Sequence, residues 1–326
     1  MTDDPTSNRV SHAPLRLEEI EEARTRIEGA AIRTPLVRLE IDLPETEIYL
    51  KLEVLQPVGS FKIRGAGSLI GSVGSDDLAD GVWTASAGNM AQAVAWFTRR
   101  EGLPCTVVMP DTAPDAKTSA VERLGASIVK VTFDEWLAVF RSRAFPGMQG
   151  LFVHPFSDRH VMAGNATIGV EILEDLPEVD AVVIPYGGGG LSCGIASAIR
   201  ALAPKTTVFA AEIATAAPLS ASLAAGEPVE VPYTPSFVDG IGSPAVFPEM
   251  FELARTLLDG SLVVEPDQAA DAVPLLATRA HVVAEGAEAV PVAATAGPAG
   301  SGRIVAVVSG GSIDASKLAG ILAGSG

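Results

Sequence analysis

Lys62 stands in the run Gly59-Ser60-Phe61-Lys62-Ile63-Arg64-Gly65-Ala66, a small-residue turn leading into an apolar stretch. An amine so placed can condense reversibly with an aldehyde instead of serving as a solvated charge. Two further segments offer complementary chemistry. Ser86-Ala87-Gly88-Asn89-Met90 follows an apolar run and opens a helical one, so its backbone N–H groups converge where a carboxylate is favoured. Pro185-Tyr186-Gly187-Gly188-Gly189-Gly190-Leu191 puts four glycines between a buried strand and a helix. Such a run is costly in chain entropy, and the cost is offset if the backbone amides wrap an anion. Near the end, Val308-Ser309-Gly310-Gly311-Ser312-Ile313-Asp314 makes a similar strand-to-helix passage, with a hydroxyl able to meet an aromatic ring nitrogen.

Each segment has a plainer reading. Ser60 or Asp314 would cap a helix, the turn at 86–89 would cap one without any ligand, Arg64 would be a structural ion-pair partner, and the glycines would form a tight turn. Taken together, the segments supply an amine, a carboxylate site and a phosphate cradle. Pyridoxal 5'-phosphate uses all three, because its aldehyde condenses with an amine and its phosphate needs convergent backbone donors. The glycine run is no Walker loop, since Gly-Lys-Ser/Thr does not end it, and it lacks the dinucleotide spacing. His12, His154, His160 and His281 form no His-Glu-x-x-His pattern, and no Gly-x-Ser-x-Gly elbow occurs, so zinc and serine-hydrolase chemistry have no motif.

The elements that position these segments follow from length and patterning. With 326 residues, the chain exceeds the size at which one core keeps growing, so two lobes with a ligand site between them are expected. Aromatic residues make up only 5%, so the core must be built from aliphatic side chains and alanine. A formal charge of -17 leaves no basic excess to displace counterions, which argues against nucleic acid and anionic membranes as partners. Cys105 and Cys193 lack metal-ligand spacing and read as buried thiols. The acidic start Met1-Thr2-Asp3-Asp4 is no secretory signal and no window spans a membrane, so a cytoplasmic protein without disulfides is expected.

The first dozen residues read as a tail, followed by a helix over 17–27 and a strand over 47–54 that delivers the lysine turn. The pattern then alternates: helix 66–73, strand 81–84, helix 88–101, strand 105–109, helix 117–124 and strand 127–131. A second series runs through helix 162–173, strand 181–185, helix 191–202, strand 207–212, helix 266–279, strand 303–308 and helix 314–321. Strands written as continuous apolar runs belong to sheets covered on both faces, and the alternation predicts an α/β protein with largely parallel sheets. The alanine- and glycine-rich stretch at 292–302 reads as a helix end and loop.

The ordered set Ser60-Phe61-Lys62-Ile63-Arg64-Gly65-Ala66, Ser86-Ala87-Gly88-Asn89, His154-Pro155-Phe156, Gly187-Gly188-Gly189-Gly190-Leu191 and Ser309-Gly310-Gly311 resembles a known family. It is similar, over about residues 34–318, to the threonine/serine dehydratase (ammonia-lyase) branch of the fold-type II, or tryptophan-synthase-beta-like, pyridoxal-phosphate enzymes. The resemblance implies a two-lobed α/β fold with open, mostly parallel sheets covered by helices. Residues 1–52 and 155–326 would form a large cofactor-binding domain and 53–154 a small mobile one. It implies that Lys62 is the catalytic residue and carries the cofactor's aldehyde, with Phe61 beside the ring. Gly187, Gly188, Gly189 and Gly190 would hold the phosphate, Asn89 would meet the ring hydroxyl, Gly240 and Glu285 would lie beside the cofactor, and Ser309 would meet the pyridine nitrogen. Ser86, Ala87, Gly88, Asn89 and Met90 would bind the substrate. The implied reaction is α,β-elimination from L-threonine or L-serine, giving a 2-oxo acid and ammonia, in a homo-oligomer as is common in the family.

Several departures refine that expectation. Ala87 stands where family racemases carry a serine on the opposite face of the substrate, which favours elimination over racemisation. Met90 replaces the histidine usual in this branch and brings no charge or proton donor. Some relatives bind a divalent metal through a glutamate, a carbonyl and an aspartate. Glu212 and Ala216 match the first two, but Pro218 stands at the aspartate, so no metal ligands are assigned. The chain ends soon after the last helix of this pattern, so no regulatory domain responding to isoleucine is expected. 3-Hydroxyaspartate elimination, serine-racemase-like activity and a non-catalytic cofactor-binding role are the alternatives. Cysteine-synthase-like replacement is disfavoured, because that branch carries Thr-Ser-Gly-Asn-Thr where this chain has Ser-Ala-Gly-Asn-Met.

Overall fold

Apolar runs of the sequence form two sheets in the computed structural model, which describes residues 13–295 and 299–324. The expected N-terminal tail lies outside the described residues. In chain order the strands are β1 (Leu36–Arg38), β2 (Thr46–Leu52), β3 (Val82–Ala85), β4 (Cys105–Pro110) and β5 (Ser127–Val131). They continue with β6 (Leu151–Phe152), β7 (Ala181–Pro185), β8 (Thr207–Ile213), β9 (Gly260–Val264) and β10 (Gly302–Val308). The larger sheet has the order β1-β2-β10-β7-β8-β9 and the smaller β5-β4-β3-β6. Only β1 runs antiparallel to its neighbour. β7 and β3 are buried at every position, as parallel strands covered on both faces must be.

The helices are α1 (Leu17–Arg26), α2 (Lys62–Ile70), α3 (Asn89–Glu101), α4 (Asp115–Arg123), α5 (Phe133–Ser142) and α6 (Arg159–Asp175). After them come α7 (Gly190–Leu202), α8 (Pro218–Ala225), α9 (Pro248–Leu257), α10 (Pro266–Leu275), α11 (Gly286–Thr295) and α12 (Ala315–Leu322). The helix after the lysine turn starts at Lys62 itself, four residues earlier than expected, so the amine sits on the first turn of α2 and not in the loop before it. Ser60 does not cap that helix, whereas Asp314 caps α12 through the Ser316 and Lys317 N–H groups. The helix expected over 266–279 ends as an α-helix at Leu275 and finishes in a wide turn over Leu276–Ala280.

One core lies between α6, α7 and α9 and the larger sheet, with Ile168, Ile195, Phe251 and Val305 among its buried members. A second fills the space between α2, α3 and the smaller sheet, including Ile63, Val94, Phe97 and Val107. Glycines let α2 approach closely. A Cβ on Gly65 would stand 2.8 Å from Val161 Cγ1 on α6, and one on Gly67 2.5 Å from Phe97 on α3. Cys105 and Cys193 are both buried free thiols.

Candidate active site

Three adjacent strands deliver the three chemical groups. β2, β10 and β7 lie side by side in parallel, and the chain leaving their carboxyl ends carries Lys62, Ser309 and the four glycines respectively. β3 of the other sheet likewise ends at Ala85, and the turn from Ser86 feeds α3 at Asn89. Carboxyl ends of parallel strands are where open α/β sheets bind ligands, because there the loops are free to vary while the strands fix their origins.

Lys62 is partly buried, and its Nζ donates to the Pro155 carbonyl at 2.7 Å while lying 4.8 Å from the centroid of the Phe61 ring. Burial among protein atoms pulls the amine down to about 8, partly offset by the Glu285 carboxylate. A desolvated lysine of this kind holds a useful neutral fraction near neutral pH and can attack a carbonyl or take a proton. Pro155 belongs to a turn organised by His154, whose Nδ1 accepts from the Phe156 and Ser157 N–H groups at 3.3 and 2.9 Å. Both contacts require an unprotonated Nδ1. Burial and the nearby Arg143 charge push the imidazole down to about 3, so His154 is a neutral scaffold and not an acid.

The glycine loop has no room for side chains. A Cβ on Gly188 would overlap the Phe156 ring, and one on Gly190 would come within 2.5 Å of the Phe156 carbonyl. A Cβ on Gly187 would sit 3.3 Å from the Gly240 carbonyl, and Gly189 has φ of +86°, a conformation that side chains rarely adopt. The loop therefore bares its backbone at the N-terminus of α7, a helix of 13 residues, as an anion cradle requires. Buried polar atoms without a partner in the chain include Ser60 Oγ, Asn89 Oδ1 and Tyr186 Oη, on residues flanking Lys62, α3 and the glycine loop. Orphaned polar atoms beside a bare backbone cradle and a desolvated amine fit a polar, phosphate-bearing aldehyde such as pyridoxal 5'-phosphate.

Gly310 knits the remaining groups together. A Cβ there would meet Glu285 Oε1 at 2.8 Å, Asn89 Nδ2 at 3.1 Å and Ser60 at 3.3 Å. Asn89 Nδ2 donates to Glu285 Oε1 at 2.7 Å, joining the two sheets' loops. The Phe61 N–H donates to the Ser309 carbonyl at 2.9 Å, fixing the lysine turn to the end of β10. Gly240 is packed against Ala287 and faces Glu285 Oε2 at 3.8 Å from its virtual Cβ. The structure thus brings Phe61, Lys62, Asn89, Gly240, Glu285 and Ser309 around one point. Ser86 Oγ accepts from the Gly88 N–H at 3.2 Å, and a Cβ at Gly88 would find open space, so the mouth of α3 is free for a ligand. Met90 is different: its side chain is 1% exposed and belongs to the apolar core of the smaller sheet.

Sequence reasoning gave Arg64 as a structural ion-pair partner without naming its partners, and it missed Glu288 altogether. Arg64 is the centre of a buried ion cluster, with Nε and Nη1 donating to Glu53 and Glu171 at 2.7 Å each, and Lys51 reaching Glu171 at 2.6 Å. Burial disfavours the guanidinium charge, but Glu53 and Glu171 outweigh it and the net shift is upward. Glu288, 2% exposed, lies 2.5 Å from Ser309 Oγ through its Oε1. Its only sequence signal is an acid embedded in the apolar run Ala287-Glu288-Ala289-Val290. Glu212 spends both carboxylate oxygens on the Leu219 and Ser220 N–H groups and the Ser261 hydroxyl, which makes it the cap of α8. Among the described residues no group of three or more His, Cys, Asp or Glu could hold a metal ion, and no helix is long and apolar enough to cross a membrane.

The family model for pyridoxal-phosphate dependent enzymes matches residues 27–310. The chain is 40% identical over 311 residues to an L-threonine ammonia-lyase of Thermotoga maritima, covering 93% of this chain and 77% of that one. It is 34% identical over 337 residues to a catabolic L-threonine dehydratase of Staphylococcus aureus, covering 99% and 96%. Among solved structures, maize serine racemase superposes with a TM-score of 0.88 at 30% identity, covering 94% of this chain and 96% of that one.

Proposed function

The chain belongs to the pyridoxal-phosphate dependent enzyme family, and on that premise we propose that it is a hydroxyamino-acid ammonia-lyase converting L-threonine or L-serine to a 2-oxo acid and ammonia. The observation that carries this reading is the convergence of a desolvated Lys62 amine, a side-chain-free glycine cradle and the open mouth of α3 at the ends of neighbouring strands. Relatives named as threonine ammonia-lyase and threonine dehydratase support the substrate class.

Bound pyridoxal 5'-phosphate supplies an aldehyde that bonds to amines and an electron-withdrawing ring that acidifies the adjacent Cα–H. Gly187, Gly188, Gly189 and Gly190 would hold its phosphate, Phe61 would flank the ring, Asn89 would meet the ring hydroxyl and Ser309 the ring nitrogen, with Gly240 and Glu285 alongside. The N-terminus of α3, with Ser86, Ala87, Gly88, Asn89 and Met90, orients the substrate carboxylate through backbone N–H groups and the positive end of the helix dipole. The Lys62 amine would be the base that takes the substrate's Cα proton. A pKa of about 8 leaves about one-tenth of the free amine neutral at pH 7, against well under a thousandth for an exposed lysine. Departure of the β-hydroxyl and later hydrolysis complete the net reaction: threonine gives 2-oxobutanoate and serine gives pyruvate, each with ammonia.

We assign the cofactor-binding unit to 1–52 and 155–326 and the mobile unit to 53–154, in a cytoplasmic homo-oligomer. The smaller sheet falls wholly within the second span, and the Lys117–Asp239 ion pair at 3.6 Å links the two spans across the site. Racemisation is the second reading, favoured by the likeness to maize serine racemase. Ala87 opposes it, since no hydroxyl stands there to deliver a proton to the face opposite Lys62. A visible spectrum with added cofactor, followed by a 2-oxo-acid assay over L- and D-serine, both threonine diastereomers and 3-hydroxyaspartate, tests the proposal. Absence of 2-oxo acid from both L-serine and L-threonine would sink it.

A further inference from the structure

Glu288 is a buried acid that the reaction described above does not use. Its Oε1 lies 2.5 Å from Ser309 Oγ, and its Oε2 has no hydrogen-bond partner in the chain. The charged groups facing it are Glu285 and Asp239, both acidic, so no cation holds it ionised. Burial first, and the Glu285 carboxylate second, raise Glu288 well above the usual carboxylate range. A neutral carboxyl has one proton to place on one of two oxygens. On Oε2 it would be a buried donor without an acceptor, whereas on Oε1 it meets Ser309 Oγ and leaves only an acceptor unmatched. Buried donors tolerate isolation less well than acceptors do, so the proton belongs on Oε1.

We infer that Glu288, as a neutral carboxylic acid, is a positioning residue that donates to Ser309 Oγ and thereby turns the Ser309 hydroxyl outward as a hydrogen-bond donor to the cofactor's ring nitrogen. The inference rests on the reading of Ser309 given under Proposed function. Its chemical content is specific. A serine that already accepts a proton from Glu288 offers its own proton to an unprotonated ring nitrogen. A serine beside an ionised Glu288 would give that proton to the carboxylate instead and present a lone pair, which suits only a protonated ring. Glu288 therefore keeps the ring nitrogen neutral, through a hydroxyl that has no other means of choosing its direction.

The test is a double-mutant cycle read by cofactor affinity and by the ¹⁵N chemical shift of ring-labelled pyridoxal 5'-phosphate bound to the folded protein. Wild type and E288Q, whose amide N–H can replace the acid proton, should share the neutral-ring shift and bind alike within about twofold. E288A and S309A should each weaken binding by about tenfold, the loss of one buried hydrogen bond, and the double variant should be no weaker than S309A alone. Additive losses, or an E288Q as weak as E288A, would overturn the role, and so would a protonated ring in wild type. Thermal melts confirm that each variant is folded, and E288Q keeps the comparison valid if E288A is not. The two readings fail differently: if borohydride with cofactor does not label Lys62 in wild type, the cofactor site itself is wrong. Labelled Lys62 with an additive cycle removes only Glu288.

Discussion

Lys62 Nζ is tied to the carbonyl of Pro155 at 2.7 Å, so the reactive amine is aimed by a backbone atom whose turn is held in place by neutral His154. A carbonyl accepts a proton but cannot supply one. It orients the amine without competing for the aldehyde, and it releases the amine without changing charge.

Replacing Lys62 by alanine should lower the rate of 2-oxo-acid release by at least about a thousandfold, because both the amine that bonds the aldehyde and the base that takes the Cα proton disappear. Steady-state assays with L-threonine and L-serine check this. Retention of even a tenth of the rate would mean that another group is the base.

The depressed pKa of Lys62 also predicts a pH signature in the protein without cofactor. Below about pH 8 the amine is charged in the folded and unfolded chains alike, and the folded chain bears the cost of burying that charge. Between about 8 and the ordinary value of 10.5 the unfolded chain binds more protons, so stability rises with pH across that window. Lys62→Met removes the effect. It should be more stable than wild type by about 2 kcal/mol at pH 7, a figure reduced for the residue's partial exposure, and the gap should close by about pH 10.5. Urea melts of both proteins across that range measure it, and a constant gap would contradict the assigned shift.

Gly188→Ala should weaken cofactor binding by tenfold or more and cost about 1 to 3 kcal/mol of stability, because its Cβ would occupy the Phe156 ring. The pair G188A with Phe156→Ala should recover part of both losses. Equilibrium dialysis and melts separate the two effects, and a fully functional G188A would show that the loop has slack.

Ala87→Ser returns a hydroxyl to the mouth of α3. Recovered serine from that variant should show a rise in D-enantiomer relative to pyruvate, whereas wild type should release pyruvate with little inversion. Chiral chromatography of the residual substrate decides it. Equal inversion in both proteins would remove Ala87 from the account of reaction choice.

Much of this was readable from one sequence because parallel strands advertise themselves. Ala181–Pro185 matches its expected limits to the residue, since a strand buried on both faces is an unbroken apolar run bounded by turn residues, and the half-exposed edge strand Ser127–Val131 matches as well. The glycine loop was legible for a similar reason, as four consecutive glycines have few uses. Other parts were silent. α11 is buried nearly all round and contains Pro291, so it shows neither an amphipathic period nor uninterrupted helix formers. α5 went unseen although Thr132 and Glu135 form a capping box at its start. β1 and β6, of three and two residues, are too short to carry a pattern and exist because their partners hold them. Glu288 and the Arg64 cluster depend on pairs more than twenty residues or more than a hundred apart, which no local window can join.

Arg64→Met should cost about 3 to 5 kcal/mol, because it strands Glu53 and Glu171 as buried charges without their shared partner. Guanidinium chloride denaturation of the apoprotein measures this, and a loss under about 1 kcal/mol would mean that water reaches the cluster.

That cluster also decides how the reactive helix is anchored. Arg64 lies two residues beyond Lys62 on α2, and its directional bonds reach to Glu171 on α6, in the larger body. The other side of α2 meets α3 through apolar side chains such as Ile63, Val94 and Phe97. Helix α2, with the amine on its first turn, is thus moored to α6 by directional charge pairs on one side and rests on α3 through apolar contacts on the other.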